Sequence, residues 1–272
     1  MRKILTTLLA VCSFATSQAQ QTNYTGKKGN LYLSWGYNKE WYTRSNIHIK
    51  QPSLGNDYTF VKTKGVDKPG WDKDLLKQPI SIPQYNYRVG YFFKDRWAFE
   101  INFDHTKFQV PDQTLRLKGT YHNRQVDTSF ARTPDNLMYQ LNNGANFLLF
   151  NLVHQVPIPY ARYKNIVDAS LLLKGGIGVV IPHVENKIMG DNNDPHFQLG
   201  GVDAGLEAAL RVTLFKYAFL EYSNKVVYAN YWGLKIYEGK ARQAFGCYEM
   251  ILSLGASIPL TKSKPVATVT EQ

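Results

Sequence analysis

The sequence predicts an all-β protein: an eight-stranded antiparallel transmembrane β-barrel with long extracellular loops and short periplasmic turns. Three observations carry that expectation. Apolar and polar residues alternate with period two along stretch after stretch, which is the repeat of a half-buried strand. Short and long connections alternate along the chain, and aromatic residues gather at the strand ends. A chain of 272 residues with 14% aromatics and 2 cysteines also excludes a disulfide-framework mini-protein, a collagen and a disordered acidic tail. Its mean hydropathy of −0.34 decides nothing, because an average hides a strand whose alternate residues face lipid and lumen.

Met1-Arg2-Lys3 is a basic start, residues 4–14 are uncharged, and Ser17-Gln18-Ala19 places small residues where a signal peptidase reads them. Residues 1–19 are therefore expected to be a cleaved signal peptide, 20–260 the barrel, and 261–272 a short periplasmic tail. The apolar run at the start is far short of the roughly 20 residues a spanning helix needs, and no later segment supplies 18. Residues 20–272 keep 30 bases, 21 acids and one thiol, Cys247. A single cysteine forms no internal bridge, and its alternating surroundings make it a small residue of the barrel wall.

Eight strands are expected at 31–43, 83–93, 97–109, 145–156, 166–181, 198–214, 218–230 and 243–258. The clearest is the sixth, where Val202, Ala204, Leu206, Ala208, Leu210, Val212 and Leu214 interleave with Asp203, Gly205, Glu207, Ala209, Arg211 and Thr213. In the second, Tyr87, Val89, Tyr91 and Phe93 oppose Asn86, Arg88 and Gly90; in the third, Trp97, Phe99, Ile101 and Phe103 oppose Ala98, Glu100, Asn102 and Asp104. Each strand reaches the 9–11 residues that a tilted crossing requires.

Lys94-Asp95-Arg96 and Phe215-Lys216-Tyr217 are tight turns and 157–165 a modest one, whereas 44–82, 110–144, 182–197 and 231–242 are long connections, expected as loops. Tyr91, Phe93, Trp97, Phe99, Phe215, Tyr217 and Phe219 crowd the short turns. Tyr37, Trp41, Tyr42, Phe108, Tyr228, Tyr231 and Trp232 lie toward the opposite ends, so two interfacial girdles are expected.

With these features the chain resembles the small bacterial outer-membrane β-barrel proteins, the eight-stranded group of the OmpA transmembrane domain, OmpX, OmpW and the lipid-A-modifying barrels. Ser253-Leu254-Gly255-Ala256-Ser257-Ile258-Pro259-Leu260 is similar to that group's terminal insertion signal, with aliphatics where aromatics are commoner. The resemblance implies an outer membrane of the Gram-negative type, insertion by the barrel-assembly machinery, and contact with outer-membrane lipids and lipopolysaccharide.

The turn at 215–217 sets Leu214 opposite Ala218, which places Arg211 opposite Glu221 and Glu207 opposite Lys225. The turn at 94–96 places Arg88 opposite Asn102, diagonally between Glu100 and Asp104. An eight-stranded barrel is only wide enough for side chains to fill, so these seven charges are expected to form an interior ion network. It reads either as a polar plug or as a gate in which ion pairs exchange.

No catalytic residue, metal or cofactor is assigned. His105, beside Asp104, is the best-placed histidine for a lipid-directed hydrolase or acyltransferase, but no further partner is locatable. His48, His122, His183 and His196 fall in expected loops. Asp191-Asn192-Asn193-Asp194 lacks the glycine and bidentate glutamate of a calcium loop, and Gly175-Gly176-Ile177-Gly178 opens no helix and cradles no phosphate. Lys50, Lys62, Lys64, Lys68, Lys73 and Lys77 mingle with Asp57, Asp67, Asp72 and Asp74, which reads either as a rim suited to the phosphates of lipopolysaccharide or as ordinary solvated loops, and not as a stripe for nucleic acid. The leading functional reading is a non-enzymatic barrel with a closed polar interior whose outer loops bind a surface partner or lipid. The alternatives are a narrow pore or port for small or hydrophobic solutes, as in OmpW, and a lipid-A-modifying enzyme.

Overall fold

A computed structural model describes residues 26–67, 84–141, 144–161, 163 and 166–260. The expected leader over 1–19, the tail 261–272, and Lys68, Asp72, Lys73, Asp74 and Lys77 lie outside the described residues. The chain runs as β1 (Asn30–Tyr42), β2 (Ser45–Gln51), β3 (Asn56–Thr63), β4 (Val66–Asp67), β5 (Asn86–Lys94) and β6 (Trp97–Asp104). It continues through β7 (Phe108–Gln109), β8 (Thr114–Tyr121), β9 (Arg124–Ala131), β10 (Leu137–Leu141), β11 (Phe147–Pro157) and β12 (Val167–Val180). The last six strands are β13 (His183–Ile188), β14 (Asp191–Asn192), β15 (His196–Phe197), β16 (Gly201–Leu214), β17 (Ala218–Ile236) and β18 (Gly239–Pro259).

Eight of these close a ring. The order β1-β5-β6-β11-β12-β16-β17-β18 is sealed by antiparallel pairing of β1 with β18, from Asn30 opposite Pro259 to Tyr42 opposite Cys247. The ring strands coincide with the eight expected segments to within a few residues, apart from β6, which stops at Asp104, and β17, which runs on to Ile236. Register follows the turns: Phe215 and Lys216 take positive φ in the turn that sets Leu214 opposite Ala218.

Burial is inside-out. Phe99, Ile177 and Leu206 are 62%, 73% and 67% exposed on the outer wall, whereas Arg88 and Glu221 inside are 1% and 0%. A soluble sheet would hide the first set and wet the second. An outer wall of apolar residues around a polar interior is the pattern of a barrel that crosses a bilayer, and the protein is an outer-membrane-type β-barrel.

The expected long loops are a correction. Beyond the barrel, β18 leaves β1 and pairs through Lys240 to Gln243 with β2, and the sheet extends through β3, β8 and β9. A second sheet, β14-β13-β10-β7-β4 with β15 on β13, belongs to the same outer end. Ile47, Ile49, Tyr58, Phe60, Leu115, Leu117, Leu137, Tyr139 and Leu141 are all buried in one core. These segments therefore fold for the reason the barrel strands do: alternate apolar positions have a common side to hide on. His48, His183 and His196 accordingly sit on strands and not in loops.

The girdles need a smaller correction. Tyr91, Phe99, Phe215 and Tyr217 are exposed at one end and Trp41, Tyr228 and Trp232 at the other. Phe219 and Tyr231 are buried and Tyr42 packs against the core because their parity places them on the lumen face, and Phe108, on β7 of the second sheet, is buried in the outer core.

Candidate functional site: the barrel interior

Lumen-facing positions change character along the barrel axis. Next to the short turns, Tyr32, Phe92, Leu172 and Phe219 pack with Ala98, Val153 and Ala209. At the outer end, Phe147, Leu149, Val180 and Val227 belong to the core that continues between the outer sheets. The charges centre between these two apolar layers, and buried acids continue outward from there: Asp104 lies opposite Phe147, and Glu40, Asp67 and Asp203 are buried toward the outer end.

Arg211 and Glu221 face each other across β16 and β17, with Nη2 2.6 Å and Nε 2.7 Å from Oε2. The Arg211 guanidinium also lies over the Tyr32 and Phe219 rings, 4.4 and 4.0 Å from their centroids, so the aromatic layer holds the cation it borders. Tyr32 in turn donates its hydroxyl to Glu100 at 2.7 Å.

Glu207 lies opposite Lys225, and Arg88 opposite Asn102. The side chains nonetheless choose other partners. Glu207 accepts from Arg88 at 3.0 Å across the lumen and lies 3.1 Å from Lys174. Arg88 stands farther from Glu100 and Asp104, at 3.7 and 3.9 Å. Lys225 donates to Asn102 at 2.6 Å and to Asp104, with Glu249 at 3.7 Å. Register placed the residues; the shortest path across a narrow lumen decided the pairs.

Sequence reasoning missed Lys174. Its ammonium lies 3.1 Å from Glu100, 3.1 Å from Glu207 and 2.8 Å from Glu221, which makes it the hub of the network. The signal was present in β12, where Ser170, Leu172, Lys174 and Gly176 alternate inward and Lys174 lies opposite Glu207. Glu249 and Asn38 were missed as well; Asn38 donates to Glu249 at 3.1 Å and to Glu40 at 2.7 Å. Neutral Asn86, Asn102, Asn151 and Ser253 fill hydrogen-bonding positions between the ions. These bonds offset part of the several kcal/mol that each buried ion costs, while Asn86 Nδ2 and both carboxylate oxygens of Asp203 have no hydrogen-bond partner among the described residues.

His105 and Asp104 form no dyad. Asp104 turns its carboxylate to Lys225, while His105 stacks on Tyr85 at 4.6 Å and pairs its Nδ1 with Asn146 Oδ1 at 2.8 Å. His154 stacks on Trp97 at 4.3 Å. Among the described residues no group of three or more His, Cys, Asp or Glu is arranged to hold a metal.

No protein-family model and no curated protein matches the chain. Among solved structures it is similar to the N-terminal β-barrel domain of Pseudomonas aeruginosa OprF, at 10% identity and a TM-score of 0.35, over 85% of this chain and 98% of that one. It is similar to Ail, the attachment invasion locus protein of Yersinia pestis, solved with the heparin analogue sucrose octasulfate, at 13% identity and a TM-score of 0.33, over 85% and 99%. It is also similar to OprG from Pseudomonas aeruginosa, at 13% identity and a TM-score of 0.41, over 87% and 99%. The barrel of this chain is defined by its own ring closure and inside-out burial.

Proposed function

We propose that this protein is a non-conducting, non-enzymatic outer-membrane barrel that anchors a folded β-assembly at the cell surface, and that the assembly is its binding surface. The observation that carries the reading is the stacking of an ion network between two apolar layers. A conducting path needs a continuous wet track. Here the track would cross the Tyr32, Phe92 and Phe219 layer at one end and the Phe147 and Leu149 layer at the other. The network is the plug: it ties β1, β5, β6, β12, β16, β17 and β18 together across the lumen and gives the ring one set of partners. Gating by ion-pair exchange would have to leave a buried charge unpaired in passing, at several kcal/mol.

The outer assembly supports the second half of the reading, since two sheets with a common core form a rigid platform on which polar side chains hold fixed positions. The partners that fit this location are outer-membrane lipids and lipopolysaccharide. The test is single-channel recording of the refolded protein in a planar bilayer. Silence is expected from folded wild type, whereas discrete openings altered in Arg211→Ala would assign the network to gating instead.

A further inference from the structure

We infer that the outer wall just above the membrane carries a site for the anionic headgroup of an outer-leaflet glycolipid, built on β17, β18 and β2. This rests on the reading of the outer assembly as the binding surface. Three lysines stand in one row on adjacent strands: Lys235 is opposite Lys240, and Lys240 is opposite Lys50. In the next row Arg242 is opposite His48. Directly opposed like charges destabilise a sheet, and ordinary cross-strand pairing alternates signs.

No ion pair engages Lys50, Lys235, Lys240 or Arg242 among the described residues. Of the nearby acids, Asp57, opposite Lys50, pairs with His48 at 2.8 Å within the same patch, and Glu238 accepts from Ser53 at 3.2 Å. Lys50, Lys235, Lys240 and Arg242 thus face a single carboxylate, Asp57, and the patch keeps a net positive charge.

The wall also forms a receptacle there. Trp232, Lys240, Arg242, His48 and Lys50 line a pocket of about 350 Å³ together with one carboxylate, Asp57. Trp232 reaches it through a bulge in β17, where register shifts between Tyr231 and Leu234 and Gly233 takes φ +65°. Below the bulge even-numbered residues face outward, and above it odd-numbered ones do, so Trp232 and Lys235 share the outer face.

An amphiphile fits better than a free saccharide because Trp232, which lines the pocket, shares the outward face of β17 with Tyr228 of the apolar wall. Trp232 donates its backbone N–H to Gly200 at 2.8 Å, and Phe197, Leu199 and Tyr228 beside it are 56%, 71% and 59% exposed. Cations with an aromatic at the membrane boundary suit phosphate groups on a sugar whose acyl chains run down that wall.

The test is retention of defined lipids by the full chain in detergent micelles, read by native mass spectrometry. The probes are bisphosphorylated lipid A, its fully dephosphorylated form, and the phosphorylated disaccharide without acyl chains. Wild type should retain the bisphosphorylated lipid, and Lys50→Gln/Lys240→Gln should lose it roughly tenfold while keeping heat-modifiable migration. Lys94→Gln/Lys216→Gln, the same charge change at the periplasmic turns, should retain it like wild type. Equal retention of the dephosphorylated lipid, equal loss in both double variants, or equal binding of the acyl-free disaccharide would each overturn the proposal. A conducting barrel would overturn the closed-barrel reading and leave these outcomes unaffected.

Discussion

Arg211 reaches Glu221 at 2.6 Å while its guanidinium is clasped between the rings of Tyr32 and Phe219, so the innermost ion pair is welded to the apolar layer beneath it. Removing the cation leaves the fully buried Glu221 carboxylate with Lys174 as its remaining ionic partner, so Arg211→Ala should destabilise the barrel by about 2–3 kcal/mol. Replacing both partners, as Arg211→Met/Glu221→Leu, should lie closer to wild type than either single change. Urea unfolding in lipid vesicles measures both, and additive single-variant losses in the pair would refute the coupling.

Lys174 should matter at least as much. Lys174→Met leaves Glu100, Glu207 and Glu221 facing one another with two arginines to share, and a loss of about 3–5 kcal/mol is expected. Changing Glu207→Gln in the same chain should restore part of it by removing one of the stranded charges. Unfolding midpoints of the single and double variants give the answer, and a wild-type midpoint for Lys174→Met would remove it from the centre of the network.

Two buried tyrosines should respond oppositely to loss of the hydroxyl. Tyr231 donates to the Ala145 carbonyl at 3.0 Å, whereas the Tyr139 hydroxyl has no hydrogen-bond partner among the described residues. Tyr231→Phe should cost about 1 kcal/mol and Tyr139→Phe nothing or less than nothing. Thermal unfolding of the two variants in one lipid tests the contrast, and an equal loss in both would contradict it.

On the exposed β8–β9 hairpin, hydrogen bonds from Arg116 at 2.8 Å hold the Asp127 carboxyl below the usual carboxylate range. Lys187 does the same for Asp135 through a 2.6 Å contact. A depressed folded pKa means that each tie is present above the unfolded value of about 3.9 and is lost as pH falls through the lower folded value. Carboxyl carbon shifts followed from pH 6 to 2 should give midpoints below 3.9 for both, with Asp127 alone returning to the ordinary range in Arg116→Gln. An unchanged Asp127 midpoint in that variant would dismiss the pair.

The barrel was legible because its signal is local. Period-two alternation in 202–214 fixes which side of β16 faces lipid, and a three-residue turn fixes register across to β17. The outer sheets obey the same rule, yet Ile47 with Ile49 and Leu115 with Leu117 are short alternations inside segments whose length suggested loops. Only knowledge that β18 outlives its partner β1 reveals what they pair with.

The interior network was half legible for a related reason. Neighbouring strands could be registered through tight turns, which places Arg211 opposite Glu221. Contacts across the lumen, such as Arg88 with Glu207 and Lys225 with Asn102, join strands far apart in the ring and depend on its closure. Position misled at Phe219 and Tyr231, where an aromatic near a strand end suggested the girdle although the alternation of the strand turns it inward.

A thiol placed within the polar interior reports whether that interior is sealed at both ends. Ser253 is 1% exposed and hydrogen-bonds to Asn86 amid the network, and Cys247 is buried in the core above. In a Cys247→Ala/Ser253→Cys chain inserted in vesicles, a charged methanethiosulfonate added from both sides should leave the thiol unmodified until the barrel is unfolded. Rapid modification in the folded state would show an open aqueous path to the network and contradict the account.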